Sequence, residues 1–435
     1  MSTPQTDLTP EESPEPALSA TEMAAAAPEI FAQTVGEYLS AWWRRIKNGE
    51  SGAMPVLLGM VGMLIFFQIE RSAFLSAGDI VNMLVEAALY VIIGAGETFI
   101  LLLSEIDLSL GYGVGIGGFV ITELIAAPIN LPWWLGILGA IAALGMLGLL
   151  QGLLVTRLGL PSFIVTLGGQ LGFLGLMEEL ASVDKTAVGG VMQLSPSSPI
   201  AKLATTDMSP TLTWAVVLVS ITLFAAFTLN QNRSRRARGL HTTPVGVSLL
   251  TVGMVAVVGV VLALITNTNQ SALGVIKGMP WVIPYVMLIV LGYTWLLGRT
   301  RTGRYIYAVG NNKEAARRAG INVNWIVTFA FIMSSVTAAL ASVVYISEQG
   351  SMATDIDGGQ LVLFAVAAAV IGGTTLFGGR GRMVNALLGG VVIAVVFNGL
   401  AIMGVGAAVQ DIATAVVLLA AVSLDAVVRR RSIAH

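Results

Sequence analysis

Residues 303–320 read GRYIYAVGNNKEAARRAG. The stretch carries Arg304, Lys313, Arg317 and Arg318, with Arg301 two positions upstream, and the chain on both sides is almost uniformly apolar. Its local chemistry favours a short helix. Asn311 or Asn312 can cap an N-terminus by accepting a backbone N–H bond. Glu314 falls in the first turn and Arg317 and Arg318 in the last, which complements the helix macrodipole. Gly320 suits the position just past the end, where left-handed backbone is wanted. Ala315, Ala316 and Ala319 form a small-residue face. A helix of only about two turns is marginal in water by itself. It therefore needs something to pack against, either the protein's own loops or a partner with a groove.

The flanking composition says what kind of protein carries this loop. Of 435 residues, 55% are hydrophobic and 11% charged, and the mean hydropathy is +0.83. Soluble domains carry about 25% charged residues, so the chain belongs to the polytopic membrane class. The net charge of −2 gives no case for nucleic acid as a partner. Cysteine is absent, and the two histidines, His241 and His435, form no pair at helical spacing. No metal site, cofactor or intramembrane enzyme chemistry is therefore expected. Residues 1–43 hold seven acids and no Lys or Arg, with Pro4, Pro10, Pro14, Pro16 and Pro28. Residues 1–50 accordingly read as an acidic, disordered tail. The transmembrane domain is expected over 51–430, with a cytoplasmic loop at 299–324.

A run of about 20 apolar residues crosses the hydrocarbon core as a helix. Twelve such runs are expected, at about 53–69, 80–104, 108–127, 132–156, 161–180, 211–230, 244–267, 281–298, 325–346, 360–378, 384–404 and 408–428. The second, third and fifth are rich in Gly or carry acids, so one of them is a candidate for a broken or re-entrant span. Cytoplasmic loops of membrane proteins are enriched in Lys and Arg. With Arg44, Arg45 and Lys47 inside, strict alternation puts 19 of the 23 basic residues on the cytoplasmic side. Only Arg71, Lys185, Lys202 and Lys277 fall outside, and none falls in a span. The expected fold is thus an all-α polytopic membrane protein of about 12 transmembrane helices, both termini cytoplasmic. The opening loop then faces the cytoplasm.

Within the spans, small residues and acids stand out. Gly111/Gly115, Gly113/Gly117, Gly148/Gly152 and Gly168/Gly172 are four GxxxG pairs. They suit close helix contact in a bilayer, where hydrophobicity no longer drives association. A charged side chain inside a span costs about 2.5–3.5 kcal/mol on insertion scales. Glu97 lies about two turns before the inner end of the second span, and Glu105 and Asp107 follow in SEIDLSLGYG. These three are candidates for a polar pathway or hinge. The alternative for Glu105 and Asp107 is a wet turn in which Asp107 caps the next helix.

Several of these segments resemble one family. Glu314-Ala315-Ala316-Arg317-Arg318-Ala319-Gly320 looks like the E-A-A-x-x-x-G loop of ABC importer permeases. The whole stretch around it is similar to that loop in monosaccharide permeases of the ribose, arabinose and xylose type. Four further blocks match in order. SEIDLSLG at 104–111 resembles G-G-I-D-L-S-V-G, and LPSFIVTLGG at 160–169 resembles I-P-S-F-I-V-T-L-G. VIGGTTLFGGRGRMVNALLGG at 370–390 and NGLAIMGV at 398–405 complete the series. The extra helix pair at about 211–267 is a feature of xylose-type members. The chain departs from the family where Ser104 and Glu105 replace a Gly pair and where Leu174 replaces an Arg. Val362 and Phe364 stand where an acidic triplet is usual.

The resemblance implies the permease subunit of an ATP-driven importer of xylose or a similar monosaccharide, in the bacterial inner membrane. It implies ATPase coupling through Glu314, Ala315, Ala316, Arg317 and Gly320. It also implies three partners: a cytoplasmic ABC ATPase, an external sugar-binding protein and a second permease chain. A separate argument agrees on energy. None of the five lysines follows a glycine, so no phosphate-binding loop of the G-x-x-x-x-G-K type exists. ATP must then be hydrolysed by another subunit. The outer loop near 181–210, with Asp184, Lys185, Lys202 and Asp207, is the candidate contact for a binding protein. The competing hypothesis is an ion-coupled secondary transporter that uses intramembrane acids such as Glu97.

Overall fold

A computed structural model describes residues 54–183, 189–237, 244–271, 274–406 and 408–416, with positions 36, 37, 40, 419 and 423. The acidic tail, Asp184 and Lys185, and most of the last expected span lie outside the described residues. Apart from two three-residue strands, all the elements are helical.

The helices fall where apolar runs reach bilayer length. They are α1 (Met54–Glu70), α2 (Ala77–Leu101), α3 (Leu110–Ile125), α4 (Trp133–Arg157) and α5 (Ser162–Val183). After β1 (Val191–Gln193) and the short α6 (Lys202–Thr205) come α7 (Pro210–Ala237), α8 (Val245–Thr266) and α9 (Val282–Arg299). The cationic loop forms α10 (Arg301–Asn311) and α11 (Lys313–Arg318). Then follow α12 (Val323–Gln349), β2 (Ser351–Ala353), α13 (Gly358–Ile371) and α14 (Met383–Ile402). Eleven of the twelve expected spans thus appear as helices, and residues 408–416 begin the twelfth in helical form.

Among the described residues, eight helices are long and apolar enough to cross a membrane, and α1, α3 and α13 are shorter apolar helices. At about 1.5 Å per residue, the 14 residues of α13 reach only about 21 Å, short of a hydrocarbon core of about 30 Å. The expected tenth span therefore stops early, because Gly372 and Gly373 end the helix and Gly373 takes a φ of +104°. The second and fifth spans are unbroken despite their acids and glycines, and the third is unbroken but only 16 residues long.

The described residues fall into two compact units, one holding 218–237 and 244–259 and the other holding the described residues from 54 to 217 and from 260 onward. In the first unit, Asn232 Nδ2 donates to Ser248 Oγ at 2.5 Å, joining α7 to α8. In the second, α12 is the central element and packs along α2, α3 and α4. Its inward face is Ala- and Ser-rich, with Ser334, Ala338, Ala339, Ala341 and Ser342 all fully buried. Small side chains there let backbones approach, which is what stabilises helix contacts when both lipid and protein are apolar. A Cβ added at Gly152 would lie 2.7 Å from the Thr328 Cα, and one at Gly148 would lie 2.7 Å from the Ser335 hydroxyl. Three GxxxG pairs make such close approaches to neighbouring elements. Gly168 and Gly172 on α5 do not: nothing stands within 4 Å of a Cβ at either one.

The 27 residues of α12 span about 40 Å. One end follows the cationic loop. The other leads into β2, which pairs antiparallel with β1, Met192 opposite Met352. Near that second end Ser347 Oγ accepts from Ala204 N at 2.8 Å and donates to Ala201 O at 3.2 Å, fastening α6 to α12. Of the expected binding-protein loop, Lys202 and Asp207 lie in this region. Partial burial pushes the Asp207 carboxyl above its usual pKa range. Beneath α6 is an apolar cavity of about 510 Å³, lined in part by Trp133, Ile200, Trp281, Tyr285 and Val343.

Candidate functional site

The cationic loop is built as its caps dictate. Thr300 Oγ1 accepts from Gly303 N at 3.1 Å and starts α10, whose Ile306 and Val309 are wholly buried. Asn312, rather than Asn311, caps α11: its Oδ1 accepts from Ala315 N at 2.9 Å. Gly320 takes a φ of +81°. Its N–H reaches Arg317 O at 3.0 Å, and the Ile321 N–H reaches Ala316 O at 3.0 Å. Those two bonds form a Schellman cap, which satisfies carbonyls that a helix end otherwise leaves open. Asn322 then starts α12 by accepting from Trp325 N at 3.0 Å.

The side chains of α11 point mostly outward. Only Ala316 is buried, whereas Ala315 and Ala319 are exposed, so the expected three-alanine face does not pack as a unit. Glu314 pairs with Arg317 at 3.0 Å and with Arg318 at 3.3 Å, and all three side chains are more than half exposed. Such pairs add at most a few tenths of a kcal/mol each to a helix. The helix therefore offers a charged, rigidly capped, solvent-facing surface rather than a stabilising contact with its own protein.

Beneath it, three chain segments meet on glycines. Gly379 N donates to Leu102 O at 2.9 Å, joining the turn after α13 to the end of α2. A Cβ at Gly310 would overlap the Leu102 carbonyl and lie 2.8 Å from Gly379 N. Tyr307 Oη donates to Gly381 O at 2.8 Å. Burial pushes the Tyr307 phenol up, and the Arg382 charge pulls it partly back. The Gly-rich block 370–390 thus has a concrete use: its turn fits directly under α10.

The turn before α3 is partly exposed at Ser104, Glu105 and Ile106, but Asp107 is not a solvated cap, and that part of the expectation is corrected. Asp107 is fully buried. Its Oδ1 accepts from Ser109 N at 2.9 Å and from Ser109 Oγ at 2.6 Å, and its Oδ2 accepts from Ser334 Oγ at 2.7 Å. Gln151 Nε2 donates to Ser109 Oγ at 2.8 Å. One buried carboxylate thus links α3, α4 and α12. Three bonds to a carboxylate offset much of its desolvation, and removing them would leave buried hydroxyls unpaired. Glu97 on α2 is also fully buried. Neither of its carboxyl oxygens has a hydrogen-bond partner among the described residues. Glu105 alone reaches out, with 14% of its side chain exposed, and it pairs with Lys313 Nζ on α11 at 2.5 Å.

The structure therefore brings Glu105 to the α11 site and buries both Glu97 and Asp107. Sequence reasoning missed Lys313, Gly310, Ser334 and Gln151, whose partners lie far along the chain. The Glu105–Lys313 pair spans 208 positions, and no local pattern signals it. Where the acidic triplet is absent, Phe364 packs edge-on against Tyr90 at 5.3 Å and Phe397 at 5.0 Å, and Val362 is buried.

The family model for the permease component of branched-chain amino acid transport systems matches residues 79–422. The xylose transport system permease protein XylH of Escherichia coli is 30% identical over 371 residues, covering 85% of this chain and 90% of that protein. The D-allose transport system permease protein AlsC of Escherichia coli is 28% identical, covering 84% and 89%. The ribose import permease protein RbsC of Haemophilus influenzae is 29% identical, covering 86% and 91%. No solved structure matches the chain.

Proposed function

The chain belongs to the family of transport-system permease components that includes the monosaccharide permeases, and on that premise we propose that it is the membrane subunit of an ATP-driven importer of xylose or a similar monosaccharide. Two copies pair in the bacterial inner membrane. A separate ABC ATPase docks on the cytoplasmic side, and an external binding protein delivers the sugar at the opposite end of α12. Residues 51–430 form the transmembrane domain, preceded by the acidic tail.

The observation that carries this reading is α11. It is six residues long, capped at both ends, and buries one side chain, Ala316. A helix that short gains little from its own backbone. Its exposed Glu314, Ala315, Arg317 and Gly320 make sense as a surface shaped for another protein. The chain has no phosphate-binding loop, so that protein supplies the ATP hydrolysis. The buried, unpartnered Glu97 is the observation that favours the competing ion-coupled transporter.

The chain has no cysteine, so Ala315→Cys creates a unique thiol. A thiol-directed photo-crosslinker at that position is expected to capture the co-expressed ATPase subunit. Crosslinking to lipid alone, with the ATPase present in the same membranes, would overturn the docking assignment. An ATPase and a secreted sugar-binding protein encoded beside the chain are also expected. Uptake measured with a panel of xylose, allose and ribose would name the cargo.

A further inference from the structure

The segment between α2 and α3, residues 102–109, makes polar contacts with α11, α5, α12, α4 and the turn after α13. At its start, Leu102 O accepts from Gly379 N at 2.9 Å, and Ser104 takes a left-handed φ of +59°. That conformation costs a non-glycine residue free energy and persists only where surrounding contacts hold it. Ser104 stands where the resembling motif has glycine, so this chain holds a strained turn that glycine would leave relaxed. The next residue, Glu105, bonds to Lys313 at the first position of α11. Then Ile106 O accepts from Thr166 Oγ1 of α5 at 3.3 Å. Asp107 accepts from Ser334 in the interior of α12 and from Ser109, which Gln151 of α4 also holds.

Three consecutive residues, Glu105, Ile106 and Asp107, thus connect α11 to α5 and α12, and Ser109, bonded to Asp107, extends the chain of contacts to α4. The polar bonds run in series, because a carboxylate at each of two alternate positions points to opposite ends. Glu105 reaches the loop surface, and Asp107 reaches the membrane interior. Besides the covalent path through residues 319–322, this segment is a second line of contacts between α11 and α12.

We propose that residues 104–107 are the transmission element between the coupling helix and the membrane interior, with Glu105 and Lys313 as its positioning residues. This rests on the reading that an ATPase docks on α11. The pair is not there for stability. With Lys313 44% exposed, the salt bridge is largely screened by solvent. Its effect is to keep the strained turn and the coupling helix in one geometry.

The test is a charge-swap cycle in the full complex of permease, ATPase and binding protein, reconstituted in liposomes. Uptake of the identified sugar, ATP hydrolysis and ATPase co-purification are measured for Glu105→Lys, Lys313→Glu and the double swap. Each single variant is expected to lower sugar uptake per ATP hydrolysed about fivefold, the scale of one partly exposed ion pair. The double swap is expected to return it to within about twofold of wild type. A merely structural role would change protein yield without changing the uptake-to-hydrolysis ratio. Single variants with wild-type ratios, or a double swap no better than its worse parent, would overturn the proposal. If a charge reversal prevents folding, Glu105→Gln and Lys313→Met carry the same comparison, each expected to lower the ratio with no further loss on combination. Co-purification separates the two levels of the argument. If Glu314→Arg leaves the ATPase bound, the docking surface is elsewhere, whatever the swap shows.

Discussion

Substitution at Gly320 isolates the contribution of backbone conformation to docking. Gly320 sits at φ +81°, and a Cβ there would meet nothing within 4 Å, so added volume is not a factor. Any effect of Gly320→Ala must come from the left-handed backbone, which costs an L-residue roughly 1–2 kcal/mol. If the residue relaxes to avoid that cost, the bonds to Arg317 O and Ala316 O go with it, each worth about 0.5–1.5 kcal/mol net. The six-residue α11 has little intrinsic stability to absorb this loss. The ratio of formed to unformed α11 should then fall about 5- to 30-fold, and apparent affinity for the docked ATPase should fall by up to that factor as the competent fraction drops. Asn tolerates left-handed backbone, so Gly320→Asn should lose much less. The assay is titration of purified ATPase against the permease in nanodiscs, for Gly, Asn, Ala and Val at position 320. The expected order of affinity is Gly, Asn, Ala, Val. Equal affinity for Gly and Ala, or Asn weaker than Ala, would show that the left-handed backbone at 320 does not govern docking.

Further outcomes follow from the same geometry. Glu314→Arg removes two exposed ion pairs and should change the thermal stability of the solubilised protein by less than about 0.5 kcal/mol, while abolishing ATPase co-purification. Gly152→Leu would drive atoms into the Thr328 backbone, and overpacking of about 1–3 kcal/mol should lower the aggregation temperature in detergent. Asp107→Ala should destabilise by about 1–3 kcal/mol, because the buried Ser109 and Ser334 hydroxyls lose their acceptor, measured by the same melt. Glu97→Gln conserves side-chain volume at a fully buried position and should shift that melt by less than about 1.5 kcal/mol, so a loss of uptake in the folded variant would assign Glu97 to transport.

Much of this architecture was legible in the sequence because the controlling physics is local. Apolar runs of bilayer length became helices nearly where expected, and the Asn312 and Gly320 caps formed as their side-chain and backbone chemistry required. The early end of α13 was also written locally, in Gly372 and Gly373, but a hydropathy window reads across it. The polar core was not legible. Asp107 looks like a solvated cap because Ser109 and a helix follow it at once. What makes it an interior anchor is Ser334, 227 positions away. Likewise Glu105 looks like a charge at a loop, and only the folded chain shows Lys313 beside it. Gly168 and Gly172 show the converse: a packing motif by spacing, with no neighbour against it within the second unit.

The central claim is that energy enters through α11 from a separate ATPase. Its most direct test is sugar uptake into liposomes containing the permease, with and without the ATPase subunit and internal ATP. Uptake is expected only when ATPase, ATP and binding protein are all present, and none is expected from a proton or sodium gradient. Concentrative uptake by the permease alone, driven by an ion gradient, would contradict it.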